Sequence, residues 1–374
     1  MKTAAIICEY NPFHNGHKYQ IDYVKNNTDA DAVVCLMSGS LVQRGEFAIF
    51  DKKVRAKAAI LSGADLVLEN PSFCVLRSAE GYAYSSVYTL SMLNSIDYLV
   101  FGAEDDIDVL LPIARLLLNE LEEFKISLLR HLNKGLSFAS ARGQAIADVL
   151  GNEFCEIIKK PNNILGIEYL KALLKLNSKI QPVVVKRIGV EHNEKEAFEN
   201  YASASFIREN INNPDVKNYV PKEVYSLYKG ASFCESKLDN AIISSLILKS
   251  LDELKNVDGI SEGLENKIKD AALKARTLDE LINNVKSKRY AYSRIKRAIF
   301  SSYLGIYRDD IDELPKYIKI IDFNERGQAF LNFAKKASDI KICKNATPLL
   351  KDVDAMKKWK KELEIDKVYE LYCK

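Results

Sequence analysis

The chain has 374 residues, 47% of them hydrophobic, with a formal net charge of +3: enough apolar material for two packed domains. So small a net charge excludes a chain that is basic throughout, so any surface for nucleic acid has to be local. No apolar run is long enough to span a membrane, and the run Ala4 to Cys8 is cut short by Glu9, too early for a secretory signal. The seven cysteines are scattered and form no CxxC, which reads as reduced thiols of a cytoplasmic protein without a cysteine-built zinc site.

In chain order, TAAIICEY (3–10) is a short apolar run suited to a strand buried on both faces. HKYQIDYVKNN (17–27) is helical in pattern, and DAVVCLMSG (31–39) is a second buried strand. VRAKAAILSG (54–63) is an amphipathic helix stopping at Gly63, and ADLVLENP (64–71) is a third strand broken by Pro71. A helix over 80–95 leads to a fourth strand, IDYLVFGAE (96–104). Residues 105–150 are leucine-rich and helical, 161–177 form a turn and a helix, and IQPVVVKRIG (180–189) is a fifth strand. This alternation predicts a parallel sheet with right-handed crossovers. Residues 223–235 look like a domain seam; the pattern is then helical to about 303, with a further strand possible at YIKIIDF (317–323).

Two of the four histidines flank a glycine in His14-Asn15-Gly16-His17, between the first strand and the first helix. That position is the carboxyl edge of a parallel sheet, where open α/β folds bind ligands. A helix start there offers free N–H groups and a positive dipole end to an anion, and Gly16 lets a ligand approach the backbone. Phosphate binding competes with a bare helix start and with a histidine metal pair. The metal reading finds no third ligand except Glu9.

Several motifs extend this one. The run Glu9-Tyr10-Asn11-Pro12-Phe13-His14-Asn15-Gly16-His17, then Met37-Ser38-Gly39 with Gln43-Arg44-Gly45-Glu46, Phe101-Gly102-Ala103-Glu104, Pro161 to Gly166, Lys186-Arg187 and Ser203 to Arg208 resemble the bacterial tRNA(Met) cytidine acetate ligases of the HIGH-type nucleotidylyltransferase superfamily. The resemblance is dense to about residue 210 and thinner beyond. It departs at Asn70, where leucine is usual, at Ser85, where glycine is common, and at Ser205, where threonine is usual.

The resemblance implies an α/β fold: a Rossmann-like ATP-binding catalytic domain over 1–225, then a mainly α-helical RNA-binding domain over 226–374. It implies activation of acetate by ATP as acetyl-adenylate, with acetyl transfer to N4 of cytidine 34 in elongator tRNA(Met). His14 and His17 would be catalytic. The nucleotide would lie along Ile7, Cys8, Glu9, Tyr10, Asn11, Pro12, Phe13, Asn15, Gly16, Lys18, Tyr19 and Gln20, against Gly102. Asn162 or Asn163 would bond the adenine or ribose, and Arg187, Ser203, Ser205 and Arg208 would hold the phosphates. Mg²⁺ would accompany the triphosphate.

The stretch Lys286 to Arg297 has six basic residues, two tyrosines and no acid. It reads either as a solvated helix face or, through Lys286, Lys288, Arg289, Arg294, Lys296 and Arg297 with Arg44, as an RNA surface. Trp359, in a second basic run, is expected to anchor a small core among solvated lysines. Two other functions fit parts of the pattern. A small-molecule nucleotidylyltransferase would share the histidines but would not need the basic helical tail. A non-catalytic nucleotide-sensing RNA binder would tolerate loss of both histidines.

Overall fold

In the computed structural model, which describes residues 1–187, 200–228, 235–287 and 290–372, the expected strands assemble into one sheet. Its strands are β1 (Thr3–Cys8), β2 (Ala32–Ser38), β3 (Leu66–Asn70), β4 (Tyr98–Ala103), β5 (Gln181–Lys186), β6 (Tyr317–Phe323) and β7 (Lys341–Cys343). They lie in the order β5–β4–β1–β2–β3–β6–β7. The first five pair in parallel, as the strand–helix alternation requires. Alternate residues serve opposite faces. Ala4, Ile6 and Cys8 enter one core with Cys35 and Met37, while Ala5 and Ile7 enter the other with Leu36 and Leu99.

From β1 the sheet grows one way through β2 and β3, and the other way through β4 and β5. The order therefore reverses between β1 and β4, and a crevice opens at their carboxyl ends. Helices α1 (Asn15–Asn27), α2 (Lys52–Leu61), α3 (Ala79–Ser91), α4 (Pro161–Lys175) and α5 (Ala204–Glu209) surround that edge. The helix expected after a turn at 161 starts at Pro161 itself, a residue suited to a first helical position.

The C-terminal part is mainly helical, and a set of helices over 235–304, ending with α6 (Tyr292–Leu304), builds its own core with Leu41, Phe47 and Phe73. It does not stay separate from the sheet. β6 pairs antiparallel with β3, matching Leu66 to Phe323 and Glu69 to Lys319, and β7 extends it. A sequence division at 225/226 thus cuts across one sheet. Helix α7 (Glu325–Ala337) packs on this extension and starts so close to β3 that a Cβ on Gly327 would lie 2.0 Å from the Asp65 carbonyl oxygen.

Helix α8 (Val353–Tyr372) is fastened to the sheet by charge. Lys52 Nζ lies 2.5 Å from Glu69 and 2.6 Å from Asp366, and Ser40 donates to Asp366 at 2.8 Å. Trp359 packs with Tyr317, Cys343, Leu349 and Ala355, as expected. Its neighbour Lys358 is not solvated, lying 3.2 Å from Glu313 and 4.6 Å above the Phe73 ring. Among the described residues no helix is long and apolar enough to cross a membrane.

One buried cation shapes the ligand edge. Arg55 of α2 is fully buried, and among the described residues its guanidinium donates to backbone carbonyls. Nε donates to Phe50 O at 2.9 Å, Nη1 to Glu9 O at 2.7 Å and Ser38 O at 3.0 Å, and Nη2 to Gly39 O. These carbonyls mark the ends of β1 and β2. Replacing Arg55 by Met leaves them unpaired in a dry site, so Arg55→Met is expected to lower unfolding free energy by several kcal/mol, because each buried acceptor left without a donor costs about 1–3 kcal/mol. Urea denaturation monitored by circular dichroism measures this loss.

Candidate active site

After β1 the chain turns sharply, with Tyr10 at φ +48° and a cis Asn11–Pro12 bond, and enters α1 through His14. Tyr10 and Phe13 are buried, and Asn11 Oδ1 accepts the Ile49 N–H at 2.8 Å. His14 is the N-cap of α1. Its Nδ1 accepts the Gly16 N–H at 3.0 Å, while His17 Nδ1 accepts the His14 N–H at 3.2 Å. The two histidines form a reciprocal cap, and their rings stack with centroids 3.7 Å apart.

This cap decides their chemistry. An Nδ1 that accepts carries no proton, so a neutral ring holds its proton on Nε2. Burial, with the Arg187 and Arg208 guanidiniums nearby, pushes the His14 imidazole down to about 3. Burial and the charges of His14 and Arg187 hold His17 well below the ordinary histidine range. Both rings are therefore neutral Nε2–H donors at neutral pH, and both line a cleft of about 380 Å³.

The cleft lies at the reversal point of the sheet. Ile7, Cys8, Glu9, Tyr10, Asn11 and Gln20 line it from the β1 side, Gly102 from β4, and Asn162 from α4. Arg187, Ser203, Ser205 and Arg208 line the far side. Arg208 donates to Asn11 O at 2.6 Å and to Ser205 Oγ at 3.1 Å, so it bridges the histidine loop and α5. Ser203 caps α5 by accepting the Phe206 N–H at 3.1 Å, so its hydroxyl serves the helix start as well as the cleft wall. Arg187 donates to Asn162 Oδ1 at 3.3 Å. A Cβ on Gly102 would come no nearer than 3.8 Å to any protein atom; the room beside this glycine belongs to the cleft.

Other expected residues support the wall from behind. Asn163 is fully buried, accepts the Glu104 and Asp105 N–H groups at 3.0 and 3.1 Å, and donates to Asp105 and Ile157 O. Of the two asparagines, Asn162 is the one that lines the cleft. Asn15 turns away, donating to Asn200 O and Asn218 O, and Lys18 pairs with Asp22 at 2.6 Å. Pro12, Phe13 and Tyr19 also lie outside the lining. Gly16 does too, and its role differs from the expected one. A Cβ there would lie 2.9 Å from His14 Cε1, so the glycine makes room for the capping ring.

Arg44 stands exposed at the cleft, in the three-residue turn (Gln43–Gly45) of a short hairpin, Leu41–Val42 with Glu46–Phe47. The same turn rests on α6: a Cβ on Gly45, at φ +78°, would lie 2.7 Å from the Arg297 backbone nitrogen, and Lys296 pairs with Glu46. Arg294 donates to Gly259 O at 2.9 Å and to Ser261 Oγ at 3.0 Å. Lys286 is exposed, and Lys288 and Arg289 lie outside the described residues. Tyr82 of α3 and Tyr169 of α4 also line the cleft. Neither was legible in the sequence, because a tyrosine at helical spacing looks like any core aromatic; only a polar hydroxyl on an apolar helix face hints at more.

The HIGH Nucleotidyl Transferase family model matches residues 1–374. A tRNA(Met) cytidine acetate ligase of Clostridium botulinum (strain Okra / Type B1) is 40% identical, over 94% of this chain and 91% of the relative. One from Acetivibrio thermocellus is 38% identical, over 98% of this chain and 93% of the relative. The chain belongs to the tRNA(Met) cytidine acetate ligase family. A solved member, Thermotoga maritima TmcAL in its apo form, superposes with a TM-score of 0.92 at 28% identity, covering 99% of this chain and 94% of that one. The same protein bound with alpha-thio ATP superposes with a TM-score of 0.90.

The paired cap makes two measurable claims. A Cβ at Gly16 would push the His14 ring out of its cap, so Gly16→Ala should lower stability by about 1 kcal/mol and weaken ATP binding about tenfold. Calorimetric titration and thermal melts separate the two effects. The folded protein keeps His14 neutral down to about pH 3, while the unfolded chain protonates it near the ordinary histidine value of 6.5. The unfolded state binds the extra proton between these values, so stability should rise with pH from about 3 to 6.5. His14→Gln should flatten that slope by up to about 1.4 kcal/mol per pH unit, read from urea midpoints across pH.

Proposed function

We propose that the cleft binds ATP, forms acetyl-adenylate from acetate with release of pyrophosphate, and delivers the acetyl group to N4 of the wobble cytidine 34 of elongator tRNA(Met). The observation that carries this reading is the stacked pair of neutral histidines, fixed as Nε2–H donors beside Arg187 and Arg208 at the reversal point of the sheet. The names of the relatives support the substrates.

In the first step an acetate oxygen attacks the α-phosphorus, and the bond to pyrophosphate breaks. Negative charge grows on the phosphate oxygens. Donors already aimed, needing no reorganisation and no deprotonation, stabilise that charge, and the histidine cap supplies two of them. Arg187 and Arg208 add fixed positive charge, and their planar forks suit phosphate oxygens. Among the described residues no group of three or more acidic, histidine or cysteine side chains could hold a metal. A Mg²⁺ ion would be carried chiefly by the triphosphate itself.

The second step needs an activated acyl group, because the lone pair of the cytosine amine is delocalised into the ring. A wobble base is unpaired and reaches a protein cleft at lower cost than a base flipped from a duplex. The helical region after residue 225 is the part we assign to RNA, with α6 and its flanks nearest the cleft. Its Lys286 and Arg297, with Arg44 at the cleft, are candidates for phosphate contact. Arg294 and Lys296 hold α6 to its neighbours and to Glu46, so they shape this face as well as charge it.

His17→Ala is expected to slow acetate-dependent ATP–pyrophosphate exchange by roughly 10²–10³, as removal of one preorganised donor does, with tRNA affinity nearly unchanged in a filter-binding assay. Exchange at the unsubstituted rate in this variant would remove the histidines from the mechanism.

A further inference from the structure

Two carboxylates, Glu9 and Glu46, stand in a cleft otherwise suited to a polyanion. Glu46 is neutralised by Lys296. Glu9 is held differently. Its Oε1 accepts the Gln43 N–H at 2.6 Å, and no described residue donates to Oε2. Its own carbonyl is pinned by Arg55 at 2.7 Å, so the side chain leaves a rigid point at the end of β1, five residues before His14.

A carboxylate beside a triphosphate weakens nucleotide binding, so its use lies with a partner that donates. The exocyclic amine of cytosine is such a partner, and carboxylates read it by accepting its N–H. We propose that Glu9 is a catalytic residue of acetyl transfer, accepting the N4–H of the target cytosine and taking its proton as the new bond forms. This rests on the reaction proposed above. N4 attacks the acetyl carbonyl, the C–N bond forms, and the C–O bond to AMP breaks with its electron pair leaving on AMP. The proton from N4 goes to Glu9 Oε2. The titratable groups coupled to Glu9 by charge include Arg44 and Glu46 on the hairpin, Arg208 on α5, Arg55 on α2, Tyr82 on α3 and Tyr169 on α4. Burial, the largest influence on Glu9, raises its basicity, and the Gln43 N–H, Arg44 and Arg208 only temper that rise.

Glu9→Gln tests this directly, because glutamine still accepts the Gln43 N–H but cannot take a proton. Two half-reactions are measured on the full chain. One is acetate-dependent ATP–pyrophosphate exchange without RNA. The other is single-turnover acetyl transfer to a tRNA(Met) transcript. The expected result is a transfer rate lower by about 10²–10⁴ with exchange lowered less than tenfold. Transfer at the unsubstituted rate overturns the assignment, and so does an equal loss in both half-reactions. An equal loss that excess Mg²⁺ restores makes Glu9 a metal ligand instead. If the unsubstituted protein shows no acetate-dependent exchange, the underlying reaction itself fails, a result distinct from normal transfer by the variant.

Discussion

The guanidinium of Arg55 is the constraint on which the rest of the ligand edge depends. Where β1 and β2 run out, their last carbonyls leave the sheet ladder and, being buried, need donors from elsewhere. Arg55 supplies donors for Phe50, Glu9, Ser38 and Gly39 from inside the protein. One delocalised cation is shared among carbonyl dipoles, with no salt bridge to a described residue, although Asp51 and Glu9 act on it by charge. That arrangement costs desolvation, and burial lowers its pKa, yet the guanidinium stays charged because its reference value is so high. In return, the first atoms beyond β1 and β2 are held without side chains from the cleft itself. The cleft residues remain available for a ligand.

The histidine cap applies the same economy at the helix start. An N-cap is usually serine, threonine, aspartate or asparagine, whose oxygen satisfies an orphan N–H. Histidine does this through Nδ1 and keeps a second nitrogen for other use. The fold selects the tautomer, and burial keeps the ring neutral, so each residue that terminates the helix also points a proton donor outward. A serine in either place would cap α1 equally well and offer no reaching donor. The sequence HNGH therefore records two demands met by one pair of rings. Gly16 is needed because the His14 ring lies where a side chain would go.

The parallel strands and the histidine element were legible from the sequence because their signals are local. Five apolar runs of strand length, separated by amphipathic helices, leave little choice of fold. What stayed hidden depends on contacts across long separations. YIKIIDF reads as a strand, but its partner is β3, some 250 residues earlier, and the antiparallel pairing has no local mark. Lys296 looks like a free cation in a basic run until Glu46 is placed beside it. Asn162 and Asn163 are adjacent and chemically identical, yet one faces the cleft and the other locks the backbone of Glu104 and Asp105. Helical period alone distinguishes them only once the helix start at Pro161 is known.

These long-range contacts converge on the hairpin between Leu41 and Phe47. On one side its Gln43 N–H holds Glu9 at the floor of the cleft. On the other its Gly45 and Glu46 meet the backbone of Arg297 and the ammonium of Lys296 on α6. A side chain at Gly45 would force the turn away from α6 and pull Gln43 with it, since only Arg44 lies between them. The helical region therefore does more than supply charge near the cleft. It touches, at Gly45 and Glu46, the same hairpin whose Gln43 N–H holds Glu9, while Lys52, Glu69 and Asp366 fix the last helix to the same edge from behind. Ion pairs so buried are poor sources of stability but strict about geometry. On the proposed assignment of this region to RNA, a base brought in beside α6 would meet a floor whose position the hairpin already fixes.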